Sequence, residues 1–268
     1  MYMLQLSKRL QSVADLVGEC STIADVGTDH GYIPVYLVAG GKAKKAIAMD
    51  INAGPLSRAE THILQYGLRK EIETRLSDGC RALKPKEADV IVIAGMGGAL
   101  MRRILMQGEE IARAAKKLVL QPQSEVAAFR EFLFTEGYQI TEEDMVLEED
   151  KYYPVIAAKS VKKKTDVSDT EETNTAVAGR DAKACWKEWN REDAAESRVA
   201  CKFGPLLLER RHPVLKQYLL RQQNQKQKIL KNLQKNARQD VTRRTEELLE
   251  ELKDIERALT YYDPDILC

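Results

Sequence analysis

Ile23-Ala24-Asp25-Val26-Gly27-Thr28-Asp29-His30-Gly31-Tyr32-Ile33-Pro34 carries an apolar strand into a tight turn bracketed by two glycines and bearing two carboxylates. A second apolar run, Ala46-Ile47-Ala48-Met49, ends in Asp50, about twenty residues beyond the first glycine. That spacing describes a crevice for a nucleotide or nucleoside cofactor at the carboxyl ends of two neighbouring parallel strands.

Outward from this turn, strand and helix patterns alternate. Leu6, Leu10, Val13, Leu16 and Val17 form a helical stripe ahead of the strand at 23–26. A helix starts near Ile33, with Pro34 in its first turn, and Gly40-Gly41 ends it. The strand at 46–49 is followed by a helix over 55–66. Further strands are expected at 72–76, 89–94 and 117–121, with helices over 100–111 and 125–135. Two more polar strands, 138–149 and 153–159, meet at the charged turn Glu148-Glu149-Asp150-Lys151. The expected fold is a doubly wound α/β sheet ending in an antiparallel pair, as in Rossmann-like class I methyltransferases.

Composition changes after residue 160. Lys162-Lys163-Lys164 and five serines or threonines within 161–181 read as a polar connection. Beyond Gly204, Leu215, Leu219, Ile229, Leu233, Val241, Leu248, Leu252, Ile255 and Leu259 recur at helical spacings with no further glycine. This predicts a helical coiled-coil arm turning near 235–241. The domains are therefore expected at 1–160, 161–202 (connection) and 203–268.

The chain has 268 residues and a formal net charge of +1, which conceals an asymmetry. Residues 1–160 hold 20 Lys/Arg against 22 Asp/Glu, whereas residues 202–244 hold 12 against 2. A basic module on a near-neutral body suits an anionic partner such as nucleic acid, or else a solvated helix face. Lys226, Lys228, Lys231, Lys235 and Arg238 are the candidate phosphate contacts. No apolar run approaches the length of a membrane span, and residues 1–20 lack a secretory-leader pattern. Five scattered cysteines form no CxxC pair, so no metal site or disulfide framework is expected, and a reducing cytoplasm is the expected compartment.

The turn's chemistry narrows the cofactor. Its spacing is Gly-x-x-x-Gly, not the dinucleotide Gly-x-Gly-x-x-Gly, and Asp25 and Asp29 would repel a pyrophosphate. A sulfonium cofactor with an ammonium tail welcomes them, so S-adenosyl-L-methionine is favoured over NAD. Asp25, Gly27 and Thr28 are expected along its methionyl end. Asp50 is expected on the ribose hydroxyls, or as a simple helix cap, with Ile51 against the adenine. Asp78-Gly79 offers a carboxylate to the adenine amine, or is merely a turn pair. Ala94-Gly95-Met96-Gly97-Gly98 sets three glycines at a strand end, which suggests a loop passing close to a ligand or flat acceptor. Met96 then packs on a base or in the core. His30 is a candidate base and Tyr32 a candidate stacking ring, each with an ordinary structural alternative. Gln121-Pro122-Gln123 could offer an amide to the acceptor, while His62 and His212 have no ligand-like neighbours.

Residues 25–34, Ile93-Ala94-Gly95-Met96-Gly97-Gly98 and Leu120-Gln121-Pro122 together resemble the bacterial tRNA (adenine-22-N1)-methyltransferase family. Leu6-Ser7-Lys8-Arg9-Leu10 and Phe203-Gly204-Pro205-Leu206-Leu207 resemble it too, and 161–200 is longer and more polar than its pattern. The resemblance implies an S-adenosylmethionine domain followed by a helical domain acting on tRNA, with Asp29 catalytic. Gly95, Gly97 and Gly98 then lie beside the target base, with His30, Tyr32 and Met96 nearby. A monomer is favoured over a coiled-coil dimer. The competing readings are a methyltransferase of another RNA or a small molecule, and an inactive RNA-binding protein of the same fold.

Overall fold

The computed structural model describes residues 4–161, 194–236 and 242–263. The chain divides into two compact units, Met1–Ala182 and Lys183–Cys268.

The first unit is built on one seven-stranded sheet. Its strands are β1 (Cys20–Val26), β2 (Ala43–Asp50), β3 (Ile72–Leu76), β4 (Val90–Met96), β5 (Lys117–Pro122), β6 (Tyr138–Glu148) and β7 (Lys151–Ser160). The spatial order is β3-β2-β1-β4-β5-β7-β6. The first five strands run parallel, and β7 inserts antiparallel between β5 and β6. The order reverses between β1 and β4, where an open α/β sheet forms its ligand crevice.

The middles of the central strands are apolar because helices cover both faces. Ile23, Ala24, Ile91, Val92, Ile93, Leu118, Val119 and Leu120 are all fully buried. The covering helices are α1 (Lys8–Val17), α2 (Tyr32–Ala39), α3 (Ala53–Gln65), α4 (Gly98–Gln107), α5 (Glu109–Ala114) and α6 (Val126–Thr135). Ser7 caps α1, its hydroxyl accepting from the Leu10 N–H at 3.4 Å. Glu149 and Asp150, both left-handed (φ 47° and 60°), form a two-residue hairpin between β6 and β7. Between α6 and β6, Arg130 Nε donates to Glu143 Oε1 at 2.8 Å with both side chains buried.

The single helix expected over 100–111 is in fact two. Gly108 separates α4 from α5, and a Cβ there would lie 2.8 Å from Cys80 Cβ. The residue that breaks the helix is also a contact point with the loop after β3.

The second unit contains α7 (Ala194–Phe203), α8 (Pro205–Glu209), α9 (Pro213–Asn236) and α10 (Thr242–Leu259). The polar connection expected to reach residue 202 is thus interrupted by α7, whose Val199, Ala200 and Phe203 are buried. Arg198 and Lys202 of α7 converge on buried Asp254 of α10, at 2.7 and 2.6 Å. Burial pushes the Asp254 carboxyl up, but these two cations outweigh it and hold the group below its usual range. Lys226 pairs with Glu251, and Lys216 lies 5.8 Å over the Tyr262 ring, so α9 and α10 run antiparallel. Leu215, Leu219, Leu248, Leu252, Ile255 and Leu259 form the buried stripe between them, while Ile229 is exposed. No helix among the described residues is long and apolar enough to cross a membrane.

Candidate active site

The carboxyl ends of β1, β2 and β4 open onto one cleft of about 340 Å³. Parallel pairing sets Asp25 of β1 beside Ala48 of β2 and Val92 of β4. The Gly27 and Thr28 N–H groups both donate to the Met49 carbonyl, at 2.8 and 2.7 Å, fastening the turn to β2. Gly27 has φ 77°, and a Cβ there would fall 2.0 Å from Met96 Cε. The bare backbone therefore lets Met96 cross the turn.

Asp25, Gly27, Asp29, Tyr32 and Asp50 line one side of the cleft, and Ala94, Gly95 and Met96 another. Arg9 and Leu10 of α1, Ile33 and Gln123 complete it. Asp25 is 5% exposed. Burial pushes its carboxyl up to about 6, Asp50 adds to that, and the Thr28 hydroxyl pulls against it. Thr28 Oγ1 is itself buried and completes no well-formed hydrogen bond. Asp50 accepts from the Asn52 N–H at 2.7 Å. Asp29 stands at the mouth with 68% of its side chain exposed, 2.9 Å from Arg58 Nη2 and 3.5 Å from His30 Nε2.

The turn is braced from behind. His30 adopts φ 60°, and its carbonyl lies 3.0 Å from His62 Nδ1. The His30 ring stacks on Tyr32 at 5.4 Å, and His62 meets Tyr32 edge-on at 5.0 Å. His62, unremarkable in the sequence, is thus the support for Tyr32. Arg58 was also invisible there, since an arginine on an exposed helix face carries no local signal.

Other expected residues stand elsewhere. Thr28 is buried and, like His30 and Ile51, does not line the cleft; Ile51 is 58% exposed next to Asp50. Asp78 pairs with Arg81 at 3.2 Å, and Gly79 (φ 64°) packs on Ile104; neither lines the cleft. The glycine loop has a packing reason that the sequence did not disclose. A Cβ on Gly97 would sit 2.9 Å from Ser124 Oγ, and one on Gly98 2.8 Å from the Ser124 carbonyl. Only Gly95, with φ 77°, faces the cleft. Gln121 is fully buried, and its Oε1 accepts from the Gly95 N–H (3.1 Å) and Arg9 Nη1 (3.2 Å). Its amide holds the loop in place of an acceptor. Pro122 is buried too, and Gln123 is the glutamine in the cleft.

In the second unit, Lys228 and Lys231 are exposed on α9, and Lys235 lies in its last turn. Lys226 is half-buried and neutralised by Glu251, so it is no open phosphate contact. Arg238 lies outside the described residues.

The donor set suits S-adenosylmethionine. Three carboxylates and one guanidinium meet a ligand that offers an ammonium, a sulfonium, a ribose diol and one carboxylate. A pyrophosphate would face three repelling groups in the same space.

Strand order and cleft together define a Rossmann-like class I methyltransferase. The chain belongs to the methyltransferase domain family, whose model matches residues 6–156. It is 41% identical to the tRNA (adenine(22)-N(1))-methyltransferase of Bacillus subtilis over 157 residues, 59% of this chain and 66% of that protein. The aligned stretch thus spans just under two thirds of that relative. The crystal structure of the B. subtilis M1A22 tRNA methyltransferase TrmK matches with TM-score 0.74 and 29% identity, covering 96% of this chain and 99% of that one. M. capricolum TrmK in complex with S-adenosyl-homocysteine matches with TM-score 0.70 and 26% identity, over 97% and 99%.

Proposed function

We propose that this protein transfers a methyl group from S-adenosylmethionine to N1 of the adenosine at position 22 of tRNA. The observation that carries the reading is Asp29, an exposed carboxylate at the mouth of a cleft whose interior carboxylates suit the cofactor. The similarity to proteins named for this reaction supports it.

S-adenosylmethionine, when bound, supplies an electrophilic methyl on a sulfonium. Asp25 and the backbone at Gly27 and Gly95 would hold its methionyl end, and Asp50 would take the ribose hydroxyls. N1 of a neutral adenine has an in-plane lone pair and needs no base. Positive charge then spreads toward the exocyclic amine, where Asp29 accepts a hydrogen bond that strengthens as the charge develops. Arg58 holds the Asp29 carboxylate through a 2.9 Å hydrogen bond. Tyr32, braced by His62, offers a face to the flipped base. Lys228 and Lys231 of α9 contribute sequence-independent grip on tRNA phosphates. The working form is the monomer, and the compartment that goes with a tRNA substrate is the cytoplasm.

Methyl transfer to unmodified bulk tRNA, with the product mapped by nuclease digestion and mass spectrometry, tests this. N1-methyladenosine at position 22 is expected. Methylation of another nucleoside, or none with folded protein and cofactor, overturns it.

A further inference from the structure

Among the described residues lining the cleft, Arg9 is the one cation against three carboxylates. It comes from α1, the helix ahead of the first strand, so no motif of the sheet announces it. Its placement is nonetheless controlled. Nη1 donates to Gln121 Oε1 at 3.2 Å, and the guanidinium lies 5.6 Å over the Tyr153 ring. The same Gln121 oxygen accepts from the Gly95 N–H at 3.1 Å. One buried amide thus fixes both Arg9 and the strand-end glycine on the β4 side of the cleft.

We infer that Arg9 binds the α-carboxylate of the cofactor's methionine tail, with Gln121 as its positioning residue. The inference rests on the cofactor reading above and adds the one charge that reading leaves unmatched. Asp25 and Asp50 answer the ligand's ammonium and diol, but its carboxylate would be repelled by both. An arginine held beside Gly95 and Gln121, with a planar fork of donors, is the group suited to a carboxylate. Gln121 Oε1 takes one Arg9 donor and stops the fork from swinging out to solvent.

The test is calorimetric binding of two ligands to the full-length protein and its variants. One is S-adenosylhomocysteine, and the other S-adenosyl-3-thiopropylamine, the same molecule without its carboxylate. Wild type should prefer S-adenosylhomocysteine. Arg9→Ala should weaken that ligand about ten- to a hundredfold, the range of a charged hydrogen bond, and leave the decarboxylated one nearly unchanged. Arg9→Lys should recover part of the preference, and Gln121→Leu should lose part of it. The ratio of the two affinities within one variant does not depend on how much of the sample is folded. Equal weakening of both ligands by Arg9→Ala would make Arg9 a structural residue and overturn the inference. Failure of wild type to bind either ligand would instead overturn the cofactor reading.

Discussion

Asp25→Asn should make the ligand-free protein more stable while spoiling its cofactor site. Burial pushes the Asp25 carboxyl from 3.8 up to about 6, with Asp50 adding to the rise. An acid whose folded value is raised binds its proton more tightly when folded. Its contribution to stability is therefore full below pH 3.8 and is lost as pH climbs through 6. The gap is on the order of 3 kcal/mol at pH 7.5 and about half that at pH 5. Asparagine keeps the shape without the charge, and the buried Thr28 hydroxyl beside it can accept from the new amide. Urea unfolding of parent and variant at pH 5 and 7.5, without ligand, reads the difference. The variant's advantage should grow by more than 1 kcal/mol between the two pH values. An identical pH dependence in both proteins would refute the idea that Asp25 is buried at an electrostatic cost. The ligand's ammonium should draw Asp25 back down, so binding near pH 6 should release a proton, visible in buffers of different ionisation enthalpy.

Asp29→Ala should unfold like wild type, because its pair with Arg58 is exposed and such pairs contribute about 0–1 kcal/mol. Its single-turnover rate at saturating cofactor should nevertheless fall about a hundred- to a thousandfold; a near-parental rate would remove the assigned role. Arg130→Met should cost about 3–5 kcal/mol in denaturant, because it removes one member of a buried ion pair, and adding Glu143→Leu should restore much of the loss. Lys228→Glu with Lys231→Glu should weaken tRNA binding and flatten its salt dependence between about 50 and 200 mM, with cofactor affinity unchanged. An unaltered slope would mean that α9 does not meet phosphate.

The parallel sheet was legible because most of its strands are apolar runs separated by helices, and β1, β2 and β4 end at or beside a glycine or an aspartate. The cleft wall at Asp25, Gly27 and Asp50 was legible for the same reason: these residues lie at or just past strand ends, where the backbone dictates their position. Residues that enter the cleft, or brace the residues at its mouth, from elsewhere were not. Arg9 is the second residue of an ordinary amphipathic helix, and Arg58 and His62 lie on α3, where nothing local distinguishes them from solvent-facing side chains. The glycine loop was misread in part because a close backbone approach at Ser124 and a close ligand leave the same trace in sequence. The break at Gly108 had a similar origin, since its neighbour Cys80 is distant along the chain.

The place of β7 between β5 and β6 has a consequence for synthesis. The cleft draws on residues 9 to 123, so its walls are all available once β5 has left the ribosome. At that moment β5 still presents an open row of backbone donors and acceptors. The next strand to emerge, β6, cannot cover it, because β6 pairs only with β7. The two-residue turn at Glu149 and Asp150 then folds β7 back into the gap. Until residue 160 is made, the nascent chain carries a buried-type apolar strand with an exposed edge, the geometry most prone to pairing with the wrong neighbour.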